Sequence, residues 1–424
     1  MAFFFSSMQS SFSRSRLALL AGSLAVAATA QAQNTQNQGV ITTAVPILTL
    51  SPDARASALG EAGVATSPDA NSGYFNPGKL GFVQYKYAAS VSYSPWLRNI
   101  TDDMSLSYLS GYGKIGQRSA IGASLMYFDL GTIDYRNGQN IPQGTFSPRE
   151  YAVSVSYGQQ LTDNFGVGIS ARYIRSNLVG TVNGNDARPG NAAAVDLGAY
   201  YSKDATIGTG LYNLAFGASI LNIGNKITYN DVENPSFLPT TLKLGTAITR
   251  EIDQYNKITL VFDANKLLVP SPFYEAPLVG ASQAEINAQL ARVRAENDSR
   301  ANKSIVSGIL GSFGDAPGGF SEELKEINLS TGLEYNYNDL LYARGGYFYE
   351  NKDKGDRQYV SLGLGLRYQV FGVDGTYLVP TGSNSQNNPL AQTIRVSLHF
   401  NLNKLADAFD ENGAGGTSGE TPPN

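Results

Sequence analysis

His399 is the only histidine in this chain, and there is no cysteine. Imidazole chemistry therefore has one candidate, and a Ser-His-carboxylate triad would have to be built on His399. Thiol nucleophiles, zinc fingers, iron–sulfur clusters, disulfide frameworks and His-cluster metal sites are all excluded. No phosphate loop or metal-ligand spacing occurs, so no cofactor and no metal are expected. The sequence does carry isolated charges within strand-like runs: Arg172, Asp196, Lys243, Asp263, Glu334, Arg367 and Arg395. A buried charge without a partner is costly, so these predict pairing with one another or with another segment of the chain. His399 lies between Leu398 and Phe400 in the same kind of run and reads as a structural group. The chain is not expected to be an enzyme.

The segments that carry these residues alternate. Val360, Leu362, Leu364, Leu366 and Tyr368 interleave with Ser361, Gly363, Gly365 and Arg367. Ile394, Val396, Leu398 and Phe400 interleave with Arg395, Ser397 and His399, and Phe165 to Tyr173 repeats the scheme. A period of two places one set on each face of a strand. About fourteen such strands are predicted, the first near 86–94, the tenth at 322–337 and the last near 392–402. Their connections alternate in length. Gly116-Gln117-Arg118, Leu161 to Asn164, Asn338-Asp339 and Gln369 are tight turns, whereas Lys266 to Ser321 is the longest of the long loops. Short turns at one end and long loops at the other, with an even strand number, mark an outer-membrane barrel.

Composition agrees. The 424 residues include 45 Gly, 25 Tyr, 19 Phe and a single Trp, with only 16% charged and a net charge of −4. That balance argues against a nucleic-acid partner, which needs a basic face. Mean hydropathy is −0.19, a soluble-looking value that alternating strands produce by averaging. Glycines within strands predict close approach of a second segment to the wall.

Residues 1–32 read as a cleaved export signal. Arg14 and Arg16 precede an apolar run from Leu17 to Ala28, followed by Ala28-Thr29-Ala30 and Ala30-Gln31-Ala32. Met8 offers a second start that leaves the mature chain unchanged, and the absence of cysteine excludes a lipoprotein. Residues 33–85 break the alternation with Pro, Gly and turn residues and are expected to form a plug, with a loose periplasmic tail as the alternative. Small residues from Ala54 to Ala65 permit tight packing in a tube, while Asp53, Arg55, Asp69 and Asn71 supply hydrogen bonds to lumenal groups. Within 266–321, Ser282 and Glu285 form a capping box that opens a helix with an apolar stripe of Ile286, Leu290 and Val293. The expected fold is all-β: a membrane-spanning antiparallel barrel of about 14 strands over 86–402. It carries the plug at its N-terminal side, the partly helical 266–321 as an extracellular insert, and 403–424 as a flexible tail.

Two sets of motifs carry a family resemblance. Gly60 and Gly63, the Asp69/Asn71 stretch, then Tyr74-Phe75 before Asn76-Pro77 are similar to the hatch of FadL-type fatty-acid and hydrocarbon channels, with Gly78 where that motif has Ala. Ser51-Pro52-Asp53-Ala54-Arg55, Asn76-Pro77, Ser94 to Asn99, Asp315 to Glu323, Arg344 to Phe348 and Asn388 to Ala391 together resemble the PorV/PorQ family. These are FadL-like outer-membrane barrels of the type IX secretion system. The resemblance implies a Gram-negative outer-membrane protein that binds the C-terminal signal domain of secreted cargo and shuttles it from the translocon to the surface attachment machinery. Implied partners are that cargo, other components of the secretion system and outer-membrane lipid. The implied contact surface is Trp96, Leu97 and Arg98 with Asp315, Pro317 and Phe320. Asp53, Arg55, Asn71, Asn76, Pro77, Arg367, Arg395 and His399 are expected in the plug and lumen. The alternatives are a channel for small hydrophobic molecules and, least favoured, a lipid A deacylase dependent on His399.

Overall fold

The computed structural model describes residues 39–98, 101–178, 188–229, 235–381 and 393–401. The export signal at 1–32, the Asn388–Ala391 motif and the 403–424 tail lie outside the described residues. The strands in chain order are β1 (Tyr87–Pro95), β2 (Met104–Lys114), β3 (Ser119–Leu130), β4 (Ile133–Arg136), β5 (Pro142–Phe146), β6 (Arg149–Gln160), β7 (Phe165–Asn177) and β8 (Gly190–Ile207). They continue with β9 (Gly210–Gly224), β10 (Thr241–Glu251), β11 (Asn256–Leu267), β12 (Ile327–Tyr337), β13 (Leu341–Tyr349), β14 (Gln358–Tyr368), β15 (Phe371–Pro380) and β16 (Ile394–Asn401). All but β4 and β5 join one closed antiparallel barrel of fourteen strands. β1 closes on β16, with Val91 opposite Leu398 and Ser92 opposite Ser397. Closure leaves no strand edge unpaired, the condition for a sheet to stand in lipid.

Alternation is realised with the apolar set outward. On β14, Leu364 is 72% exposed while Ser361 is fully buried. The same inversion runs around the wall, through Leu333, Leu398 and Val155. A soluble sandwich buries its apolar face; a wall that exposes it needs an apolar solvent outside. Short turns such as 161–164, 208–209 and 338–340 gather at one end of the barrel, and long loops at the other. Asn338 and Asp339 both have positive φ, which a tight hairpin turn demands and Asn and Asp tolerate.

Two elements depart from expectation. The tenth barrel strand begins at Ile327 rather than 322, because Phe320–Lys325 forms a short helix with Glu322 and Glu323 in its first turn. Acidic residues there meet the positive end of the helix dipole. The long loop after β3 also folds back on itself as the β4–β5 hairpin, with Tyr135 stacked on Phe146. That hairpin is too short for its alternation to stand out in sequence.

The plug contains α1 (Ala54–Ala58), α2 (Ser72–Phe75) and a 3-10 turn at Pro77–Phe82. It is not a loose tail. Ala44 donates its backbone N–H to the Phe237 carbonyl in the β9–β10 loop, so this segment begins at the long-loop end. Pro77–Phe82 packs on Gly158, Gly166 and Gly168, close to the β6–β7 turn at the opposite end. The chain therefore runs down the whole lumen before β1 starts. Beyond β11 the insert carries α3 (Gln283–Ala301), α4 (Ile305–Gly311) and α5 (Phe320–Lys325).

Candidate functional site

Many charged side chains in the lumen are paired, and the plug supplies several of the partners; Lys243 instead lies over the Phe75 ring at 5.9 Å. Arg55 forks onto Glu334 at 3.1 and 3.2 Å and reaches Asp69 Oδ2 at 3.0 Å. Glu334 also accepts from Arg344 at 2.6 Å; Arg344 reaches Asp374 at 2.8 Å; and Asp374 is held by Arg367 at 2.6 Å. His399 Nε2 lies 2.7 Å from Asp374 Oδ2. Charge alternates in sign along this chain from the plug to the last strands, so every buried ion faces opposite charge. His399 sits at its end, beside a carboxylate that Arg344 and Arg367 also hold.

Two further lumenal charges, Arg395 and Asp263, grip the plug backbone. Arg395 Nη1 donates to Ser51 O at 2.6 Å, to Ser57 Oγ and to Glu61 Oε1 at 3.1 Å. Asp263 Oδ2 accepts the N–H groups of Gly63 and Val64 at 2.7 and 3.0 Å. Arg172 binds Asp196 at 2.8 Å and lies over the Tyr74 ring. Asp53 caps α1 through Ala56 N at 3.0 Å, Asn71 Oδ1 accepts from Ser110 Oγ at 2.6 Å, and Asn76 donates to Ala199 O at 2.9 Å.

Close approach is set by glycine. A Cβ on Gly346 would fall 2.1 Å from Gly60 N, and one on Gly168 would fall 2.3 Å from the Pro77 carbonyl carbon. Both distances are far below contact, so a side chain at either position would push the plug off the wall. Within the plug, Asp53, Arg55, Asp69 and Lys79 surround a cavity of about 10 Å³, enough for one water.

Above this polar layer the mouth is sealed by apolar residues. Ala44, Val45, Ile47, Leu48 and Leu50 form a core with Trp96, Leu106, Phe128, Ile174, Leu238 and Leu378. Trp96 is 8% exposed and packs edge-to-face on Phe128 at 5.7 Å. Its side chain is therefore not an exposed anchor. It shares one buried cluster with Ala44 to Leu50, a segment distant from it in sequence. Leu97 is half-buried against the same core with φ of 50°, and Arg98 is exposed.

The insert stands on a network of five charged residues. Lys266 reaches Glu323 at 2.9 Å and Glu326 at 2.7 Å; Lys354 reaches Glu322 at 2.5 Å and Glu326 at 3.0 Å. Tyr274, Ser271 and the Gly318 N–H complete it. Burial alone would raise the Glu322 carboxyl, but Lys354 and the Gly318 N–H hold it below its ordinary value. Asp315 is raised, because its burial outweighs the Ser271 N–H and Lys303. Asp315 is thus a brace, and Pro317 is half-buried beside it, while Phe320 is 76% exposed. The predicted helix forms with its capping box, but Leu290 is exposed and Gln289 is the buried residue. Polar ties hold α3 instead: Gln289 to Ala276 O, Asn297 to Phe273 and Arg300 to Ser271 O and Asp315 O.

Val306 and Leu310 share one exposed face of α4, and Phe313, Phe320 and Leu324 are exposed nearby in sequence. Ile305 to Phe313 stands out in the sequence as an apolar piece, but so short a stretch does not tell inside from outside. The Lys266–Lys354–Glu322–Glu323–Glu326 network was equally silent, since its members are spread over three elements. No group of three His, Asp or Glu residues placed to hold a metal occurs among the described residues.

The family model described as "Type IX secretion system protein PorV" matches residues 33–274, more than half of the chain. Solved structures with a similar course include two toluene transporters and a FadL homologue. The Pseudomonas putida toluene transporter TodX has 11% identity and a TM-score of 0.45, covering 86% of this chain and 98% of that one. The Ralstonia pickettii toluene transporter TbuX has 11% identity and a TM-score of 0.41, covering 86% and 97%. A Pseudomonas aeruginosa FadL homologue has 10% identity and a TM-score of 0.39, covering 86% and 99%. No curated protein matches the sequence.

Proposed function

Because this chain belongs to the PorV family of type IX secretion system proteins, we propose that it is a non-enzymatic outer-membrane barrel that docks secreted cargo on its long-loop face. On this reading the long-loop end faces the cell exterior and the short turns face the periplasm. The cargo's C-terminal signal domain is the ligand, and the barrel carries it from the translocon to the attachment machinery.

The observation that supports this best is a set of exposed apolar residues close in sequence, Val306 and Leu310 on one face of α4 with Phe313 and Phe320 after it, offered by an insert that buried ion pairs hold to the wall. Exposed apolar side chains on a braced support are what a protein partner buries. Arg98 and half-buried Leu97 lie on a loop at the same end of the barrel. A channel for small hydrophobic molecules would need a dry chamber under the mouth, and that space holds Ala44 to Leu50. A lipid A deacylase would need His399, which is beside Asp374 within the arginine-rich chain.

The test is crosslinking and pull-down from intact cells with the full-length protein and a Leu310→Asp/Phe320→Ala variant. The expected result is recovery of secreted proteins that share a C-terminal domain, reduced by about tenfold in the variant. Equal recovery by both proteins, or recovery of no such cargo, would overturn the proposal.

A further inference from the structure

The outer wall has a concavity of about 590 Å³ spread over β6 to β10, and its cause is inside the barrel. Gly158, Gly168 and Gly198 occupy consecutive paired positions on the lumenal face, opposite Pro77 and Gly78. A Cβ on Gly198 would lie 2.2 Å from Asn76 Oδ1, as close as the one on Gly168 would lie to Pro77. Without side chains there, the wall closes directly on the plug, and its outer surface recedes by the same amount.

Outside, Ile169, Leu197, Ile220 and Leu242 form one row of directly paired positions. The adjacent row, one pleat nearer the short-turn end, contains Ala199 and Ala218. Two methyls where neighbouring rows carry large side chains deepen the trough. Ile220 and Leu242 are only half-exposed although they point outward, in contrast to Leu364 on another part of the wall. At the trough's short-turn corner Gln159 is exposed, and its Oε1 accepts from Tyr157 Oη at 3.0 Å, leaving the amide N–H groups free of that bond.

We propose that this trough binds one phospholipid of the leaflet at the short-turn end, with an acyl chain along the row and its ester carbonyls at the Gln159 amide. Three observations select a lipid. The trough is continuous with the exposed apolar belt of the barrel, so it opens into hydrocarbon. Its polar group sits one residue from the end of β6, at the depth where hydrocarbon gives way to headgroups. Five strands at about 4.8 Å spacing make it about 19 Å long, against about 15 Å of hydrocarbon per leaflet, and strand tilt of about 40° inclines it to the bilayer. The inference does not depend on cargo binding and fails separately from it.

The test uses the full-length protein reconstituted in vesicles of palmitoyl-oleoyl phosphatidylethanolamine, then released and weighed intact by native mass spectrometry. The wild type is expected to retain one phospholipid through a detergent wash. Ala199→Phe/Ala218→Phe fills the trough and is expected to lower occupancy by about tenfold, whereas Leu364→Phe on another part of the wall leaves it unchanged. If the double variant does not fold, Gln159→Leu removes the polar anchor and is expected to lower occupancy in the same direction. No retained phospholipid, retention unaffected by both variants, or retention of lipopolysaccharide from native membranes in its place would overturn the proposal.

Discussion

Ala44 and Phe237 are joined by a backbone hydrogen bond of 2.8 Å between the start of the plug and the long β9–β10 loop. The bond places residues 39–50 at the mouth of the barrel opposite the end from which β1 departs. Gly39 lies beside Asp353 and Lys354 of the β13–β14 loop, and Thr42 and Pro46 are exposed. The long-loop face therefore includes the first turn of the plug.

Single cysteines can test that placement cleanly, since the chain has none. Thr42→Cys and Pro46→Cys are expected to react with a membrane-impermeant maleimide on intact cells, and Lys79→Cys, buried in the plug, is not. Labelling of residues 42 and 46 only after the outer membrane is opened would show that the long-loop end faces the periplasm.

Arg55 is the plug's link to the alternating charge chain. Arg55→Ala leaves Glu334 with one arginine fewer in a water-poor lumen and is expected to cost about 3–5 kcal/mol. Arg55→Lys keeps the charge but loses the two-pronged contact, so it recovers part of that loss. Urea unfolding of the detergent-solubilised protein measures both.

Gly346→Ala places a methyl on the Gly60 amide and is expected to dislodge the plug, giving higher ion conductance in planar bilayers than the wild type. Gly375→Ala has no heavy atom within 4 Å of the added methyl and serves as the control. Equal conductance of both variants would show that the plug does not depend on this contact.

The insert should loosen in acid. The Glu322 carboxyl lies below its ordinary 4.5, so its contribution is complete above that value and is lost as pH falls through the depressed one. Asp315 runs the other way: its contribution is present below the ordinary 3.8 and is lost as pH rises through its raised value. At neutral pH Glu322→Gln is therefore expected to speed proteolysis within 268–326, and Asp315→Asn is not. Lowering the pH from 7 to below 4.5 should reproduce the Glu322→Gln effect in the wild type.

Trp96 offers an intrinsic probe. Buried in one cluster with Val45 and Leu48 and packed against Phe128, it is expected to emit at short wavelength and to resist aqueous acrylamide. Ready quenching would place the indole on the surface and return it to the docking face.

The barrel was legible because alternation is a local property. Val360 to Tyr368 has a period of two whatever its surroundings, and closure is the way to satisfy fourteen such strands in lipid. Turn chemistry at Asn338-Asp339 and the Ser282–Glu285 capping box are equally local and appear in the structure. The lumenal charges could be recognised as needing partners, but Arg55 finds Glu334 and Arg395 finds Glu61 across most of the chain's length. Burial of Trp96 depends on where residues 44–48 run, and no spacing around Trp96 records that. The same holds for the Lys266 and Lys354 network, for α3 held by Gln289 and Asn297 instead of its leucine, and for the hollow in the outer wall. Periodicity along one strand is decided by bond geometry within a few residues. Which end of the lumen the plug enters, and what it covers, is decided by contacts between segments far apart in sequence, which exist only once the barrel has closed.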